Sequence, residues 1–87
     1  MKKFYIQADS DEWCGISVDL IVETPDHFDE ENIRDNLKLL EFIDEAMYEY
    51  ASAEDELSEG TWGFAVIEET TDPEIINCAA YPTITLE

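Results

Sequence analysis

Apolar and polar residues alternate at the start of this chain, with Phe4, Ile6 and Ala8 on one side and Tyr5 and Gln7 on the other. A period of two predicts a first strand. Asp9-Ser10-Asp11-Glu12 reads as a polar turn. A second strand is expected from Gly15 to Glu23, with Ile16, Val18, Leu20 and Val22 on one face. Ser17, Asp19 and Glu23 take the other face, and Ile21 is the exception. The two strands are expected to form an antiparallel hairpin.

Thr24-Pro25 ends the second strand, because proline lacks an N–H and biases its predecessor away from helix. Asp29 then suits a helix N-cap, with Phe28 and Ile33 placed as a hydrophobic staple. Glu30 and Glu31 suit the positive end of the helix dipole. Ile33, Leu37, Leu40, Ile43, Met47 and Tyr50 follow at steps of three and four, and Leu39, Phe42 and Ala46 widen the stripe. That spacing predicts one amphipathic helix over residues 30–52. Ala53 to Glu59 prolongs it and Gly60 ends it.

Thr61 to Glu68 predicts a third strand, with Trp62, Phe64 and Val66 facing one way and Gly63 and Ala65 the other. Thr70-Thr71-Asp72-Pro73 is a turn. Ile75 to Tyr81 reads as a fourth strand, which Pro82 interrupts, and Thr83 to Leu86 as a short edge strand. The expected fold class is α+β, a single domain over residues 1–87 in β-β-α-β-β order. Its antiparallel sheet of about four strands carries one long helix on one face.

Composition supports folding, since 45% of residues are hydrophobic and 11% aromatic, more than a disordered acidic chain would carry. No run approaches the ~18 apolar residues of a membrane span, and no signal peptide follows Met1, so a cytosolic protein is expected. The two cysteines are too few for a disulfide-built secreted domain. Cys78 reads as a small buried side chain, and Cys14 sits beside Gly15 at a strand start. A bridge between them would require neighbouring strands.

Candidate chemistry is sparse. His27, the only histidine, falls in a turn expected to face solvent. No P-loop, GxGxxG, HExxH or CxxC occurs, so no catalysis and no cofactor are expected. Asp9-Ser10-Asp11-Glu12 begins like a calcium loop. However, Cys14 stands where an EF-hand needs its sixth-position glycine, and Leu20 where it needs its final glutamate. Paired carboxylates for glycoside hydrolysis or nuclease metals would need a cleft that so short a chain hardly builds.

Charge changes the picture more than any motif. Twenty-three Asp and Glu face 4 Lys and Arg, a net charge of -19 on 87 residues. After Lys38 no Lys or Arg occurs, while carboxylates continue to the last residue. Such a field destabilises a compact state, and solubility alone needs a net charge of only about 2–8. Glu41, Asp44, Glu45 and Glu49 are spaced to share the helix face opposite the buried stripe, with neighbours about 5–6 Å apart. Glu54, Asp55, Glu56 and Glu59 prolong this negative surface. Asp9, Asp11 and Glu12 join it if their turn folds to the same side. Tyr48, between the carboxylates, is placed to stack on an arginine. A plain solvated face would instead mix signs, because Glu–Lys pairs support a helix and carboxylates near its C-terminal end oppose the dipole.

Size, composition and the one-sided helix from Glu41 to Glu59 resemble the small acidic DNA-mimic inhibitors of bacteriophages and mobile elements, of anti-CRISPR or anti-restriction type. That resemblance implies an inhibitor that places carboxylates where phosphates sit in a basic cleft. The implied partner is a nucleic-acid-binding protein or complex: a CRISPR effector first, then a restriction enzyme or a nucleoid protein. No direct binding of nucleic acid is expected. Two other readings stay open: an antitoxin or immunity protein that neutralises a basic toxin, and an interaction module binding through a sheet face that exposes Tyr5, Ile21 and Ile67. A homodimer through that face belongs with the last.

Overall fold

The computed structural model describes residues 1–10, 17–50 and 62–86. The elements are β1 (Lys2–Ser10), β2 (Ser17–Thr24), α1 (Glu30–Arg34), α2 (Leu37–Tyr50), β3 (Trp62–Glu69), α3 (Pro73–Ile76) and β4 (Thr83–Thr85). The fold is α+β, a four-stranded mixed sheet in the order β3-β1-β2-β4 with short helices.

The expected hairpin is present. β1 and β2 pair antiparallel with Phe4 opposite Val22 and Ile6 opposite Leu20, which puts both apolar rows on one face. β3 pairs antiparallel with the other edge of β1. An irregularity between Gln7 and Ala8 sets Val66 opposite Gln7 and Phe64 opposite Ala8, leaving Ala65 as the extra residue. This bulge shifts the phase of β3. Trp62 and Phe64 pack against the core as expected, but Ile67 takes the next inward place instead of Val66.

Two expectations about the second half of the chain are corrected. Ile75 to Tyr81 is not a strand. Asp72 caps a helical turn by accepting the Glu74 N–H (2.9 Å), and Pro73 occupies the first turn, where its missing N–H costs nothing. The last strand is then β4 alone, and it runs parallel to β2, with Ile21 opposite Thr83 and Glu23 opposite Thr85. The sheet is therefore mixed. The chain crosses the far face of the sheet through α3 before returning beside β2.

The single long helix is also interrupted. α1 begins with the expected Asp29 cap, a capping box in which Asn32 returns the bond. It stops after Arg34. Asn36 then starts α2, its Oδ1 accepting the Leu39 N–H (3.1 Å) and its carbonyl the Leu40 N–H (3.0 Å). Asparagine competes for backbone bonds in a helix interior and satisfies them as a cap. The restart rotates the apolar stripe. Leu37 is 73% exposed, whereas Leu39, Ile43 and Met47 are buried. Beneath them lie Phe4, Ile6, Ala8, Val18, Leu20 and Val22, with Phe28, Ile33 and Leu86 closing the ends.

The opposite sheet face is covered too. Ile21 is fully buried there, its N–H donating to the Pro82 carbonyl (2.8 Å), and the Tyr5 and Tyr81 rings stand 5.4 Å apart. The proposed open face of Tyr5, Ile21 and Ile67 is therefore not open, because Ile67 packs into the core on the other side. Cys78 is a half-buried free thiol after α3, and Cys14 lies outside the described residues. Among the described residues no helix is long and apolar enough to cross a membrane.

Candidate partner-binding surface

α2 carries the four carboxylates Glu41, Asp44, Glu45 and Glu49, and all four are exposed. Each residue turns the helix by about 100°, so with Ile43 at the buried centre the four spread over an arc of about 140°. Glu41 and Glu45 form the crest. Asp44 leans toward β3, where its carboxylate accepts the Trp62 indole N–H. Glu49 leans the other way and lines an open groove with Ser17, Val18, Asp19, Phe42, Ala46, Ala80 and Pro82. The helix axis rises about 6 Å between Glu41 and Glu45, and as much again to Glu49.

Three of the four Lys and Arg are committed elsewhere. Arg34 pairs with Glu30 (2.9 Å) and lies 5.7 Å from the centre of the Phe64 ring. Lys2 donates to the Phe28 carbonyl (3.1 Å) and approaches Glu69. Lys38 sits on the crest side of α2, but its Nζ reaches the Thr85 carbonyl at 2.7 Å, tying the helix start to β4. Among the described residues, no ion pair involves a carboxylate of α2. Apart from Lys38 at the helix start and the Trp62 N–H on Asp44, the charges along α2 are therefore held against one another, screened by solvent and salt.

The other expected contributors do not all join this surface. Asp9 pairs with Ser17 and Gly63 on the sheet face opposite α2, because Ala8 points into the core and successive strand residues alternate. It is separated from Glu41 and Glu45 by the whole sheet. Asp11, Glu12, Glu54, Asp55, Glu56 and Glu59 lie outside the described residues, as does the side chain of Tyr48. His27 is exposed in the turn before α1. No group of three or more His, Cys, Asp or Glu side chains among the described residues is placed to hold a metal.

Asp9 instead shares its face with Asp19, whose carboxylate accepts the Tyr5 hydroxyl (2.7 Å). Burial, and next the hydrogen bond and charge of Asp19, push the Tyr5 phenol well above its ordinary value. Hairpin register sets Tyr5 diagonal to Asp19. This pair was readable from the alternation once the turn length was known. The Trp62–Asp44 bond joins residues far apart in sequence, and no local spacing announces it. Comparison with protein families, characterised proteins and solved structures finds no match to this chain.

Proposed function

We propose that this protein is a DNA mimic that inhibits a bacterial defence complex by occupying its basic nucleic-acid-binding cleft. It acts as a binding protein and not as an enzyme, in the cytoplasm of a bacterial host, with no cofactor. The observation that carries this reading is the uncompensated row on α2: exposed carboxylates with no ion-pair partner among the described residues. Lys and Arg lining a DNA channel attract any anionic surface and speed its association. Carboxylates accept bidentate bonds from arginine much as phosphates do.

The three-sided spread of the carboxylates suits a concave partner. A flat surface meets only Glu41 and Glu45, whereas a cleft also reaches Asp44 and Glu49 on the flanks. The Asp44–Trp62 bond fixes one flank in advance, and fixed groups lose little entropy on binding. A CRISPR effector's DNA channel is the first target, on the resemblance in size and charge, and a restriction complex the second.

The test uses the purified protein as bait in nuclease-treated bacterial lysate at physiological salt, followed by elution with duplex DNA. Capture of one nucleic-acid-binding complex that DNA releases supports mimicry. A single partner indifferent to DNA turns the reading toward an antitoxin or immunity protein. A diffuse set of basic proteins refutes a dedicated function for the charge.

A further inference from the structure

β4 covers only part of the outer edge of β2. The Ile21 N–H donates to the Pro82 carbonyl, and the Glu23 carbonyl accepts the Leu86 N–H (2.8 Å each). Odd-numbered residues of β2 therefore turn their backbone groups away from β1, and alternation gives Asp19 and Ser17 the same orientation. If β4 continued alongside them, the Asp19 carbonyl would need the N–H of residue 82. That residue is proline and has none. The chain leaves the sheet there and lifts Tyr81 onto Tyr5. Among the described residues, no backbone hydrogen bond reaches the outward N–H or C=O of Asp19.

This stretch of open edge lies in the groove of about 430 Å³ described above. Phe42 and Ala46 form one wall, Ala80 and Pro82 the other, and the carboxylates of Glu49 and Asp19 flank it. We infer that the groove receives an extended cationic segment of a partner protein, which adds as a short strand along Ser17–Asp19. Backbone bonds to Asp19 supply the register, and apolar side chains turned toward α2 meet Phe42 and Ala46, with Glu49 adding its charge at that rim. The alternate Arg or Lys, turned to the other face, meets the second oxygen of Asp19. A second copy of this chain is the wrong occupant, because it would bring a second charge of -19 to the same edge. The β3 edge is a poorer slot, since its bulge and the paired Glu68 and Glu69 blunt it. The inference goes beyond phosphate mimicry and does not require it.

The probe is a capped hexapeptide of alternating Arg and Val, titrated into the ¹⁵N-labelled protein. The expected result is a shift of the Ser17 and Asp19 amides, with slowed hydrogen exchange at Asp19. N-methylation of alternate peptide residues should weaken binding about tenfold, the worth of one to two backbone bonds. Glu49→Gln should weaken it as well, whereas Glu41→Gln with Glu45→Gln should leave Asp19 protection in place. That double variant separates this site from the mimic surface. Equal binding by the N-methylated peptide would overturn the inference, as would shifts confined to α2. So would an Asp19 amide already protected in the free protein, which would mean that the chain fills its own slot.

Discussion

Replacing Glu45 by lysine should make the protein more stable while making it a worse ligand for a basic partner. Glu41 and Glu45 lie one turn apart on the crest of α2, and neither has an ion-pair partner among the described residues. Like charges at that spacing cost about 0.2–0.5 kcal/mol, and a glutamate four residues ahead of a lysine gains a similar amount. The exchange therefore swings about 0.4–1 kcal/mol in favour of folding. For a domain of this size that is about 2–8 °C in Tm. Thermal melts followed by circular dichroism at low salt read the gain directly. The gain should vanish near 1 M salt, where the screening length of about 3 Å falls below the separation of the two side chains. The same variant should lose affinity for the partner captured by the lysate experiment, in the opposite direction to its stability. A Glu45→Lys protein that melts lower at low salt, or whose gain ignores salt, refutes the claim that these carboxylates stand uncompensated.

Three further outcomes follow from other parts of the molecule. Asn36→Ala removes the cap of α2 and should lower stability by about 1 kcal/mol, seen as a fall in the denaturant midpoint with an unchanged slope. Thr24 is fully buried and its hydroxyl finds no partner among the described residues, so Thr24→Val should raise stability by about 1 kcal/mol in the same assay. Tyr5 has its folded-state value raised, so the stability it contributes is complete below pH 10, near the unfolded value, and is lost as pH rises through the folded value. Absorbance titration should show one tyrosine still protonated where ordinary ones have ionised, and Tyr5→Phe should abolish that late step.

Much of this fold was legible because its periodicity is local. The alternation in residues 4–8 and 16–22 defined the hairpin face, and Asp29 marked the start of α1 by its chemistry alone. The errors arose where one residue outweighed a pattern. Asn36 sits within an apolar repeat that otherwise reads as continuous, and its side-chain bond to Leu39 resets the phase, exposing Leu37. Ile75 and Ile76 look like a buried strand, yet Asp72-Pro73 supplies a helix start strong enough for one turn. The candidate surface was readable in part. Helical spacing placed Glu41, Asp44, Glu45 and Glu49 outward. Nothing in the spacing showed that Asp44 would be held by Trp62, or that the strand parity of Ala8 sends Asp9 to the far face.

The order of strands has a consequence for how the chain is made. β1 lies in the middle of the sheet, but its second partner, β3, is synthesised long after the first. A hairpin of β1 with β2 closes in about 1–10 μs. The ribosome needs about 2–9 s to deliver the residues from the end of β2 at Thr24 to the end of β3 at Glu69, at about 5–20 per second. Throughout that interval the nascent protein carries the β3-facing edge of β1 unpaired, the kind of edge that seeds aggregation. The segment made in that interval is rich in carboxylates, so neighbouring nascent chains carry like charge and repel one another. The same charge that burdens the finished fold thus opposes association of chains while they are being made.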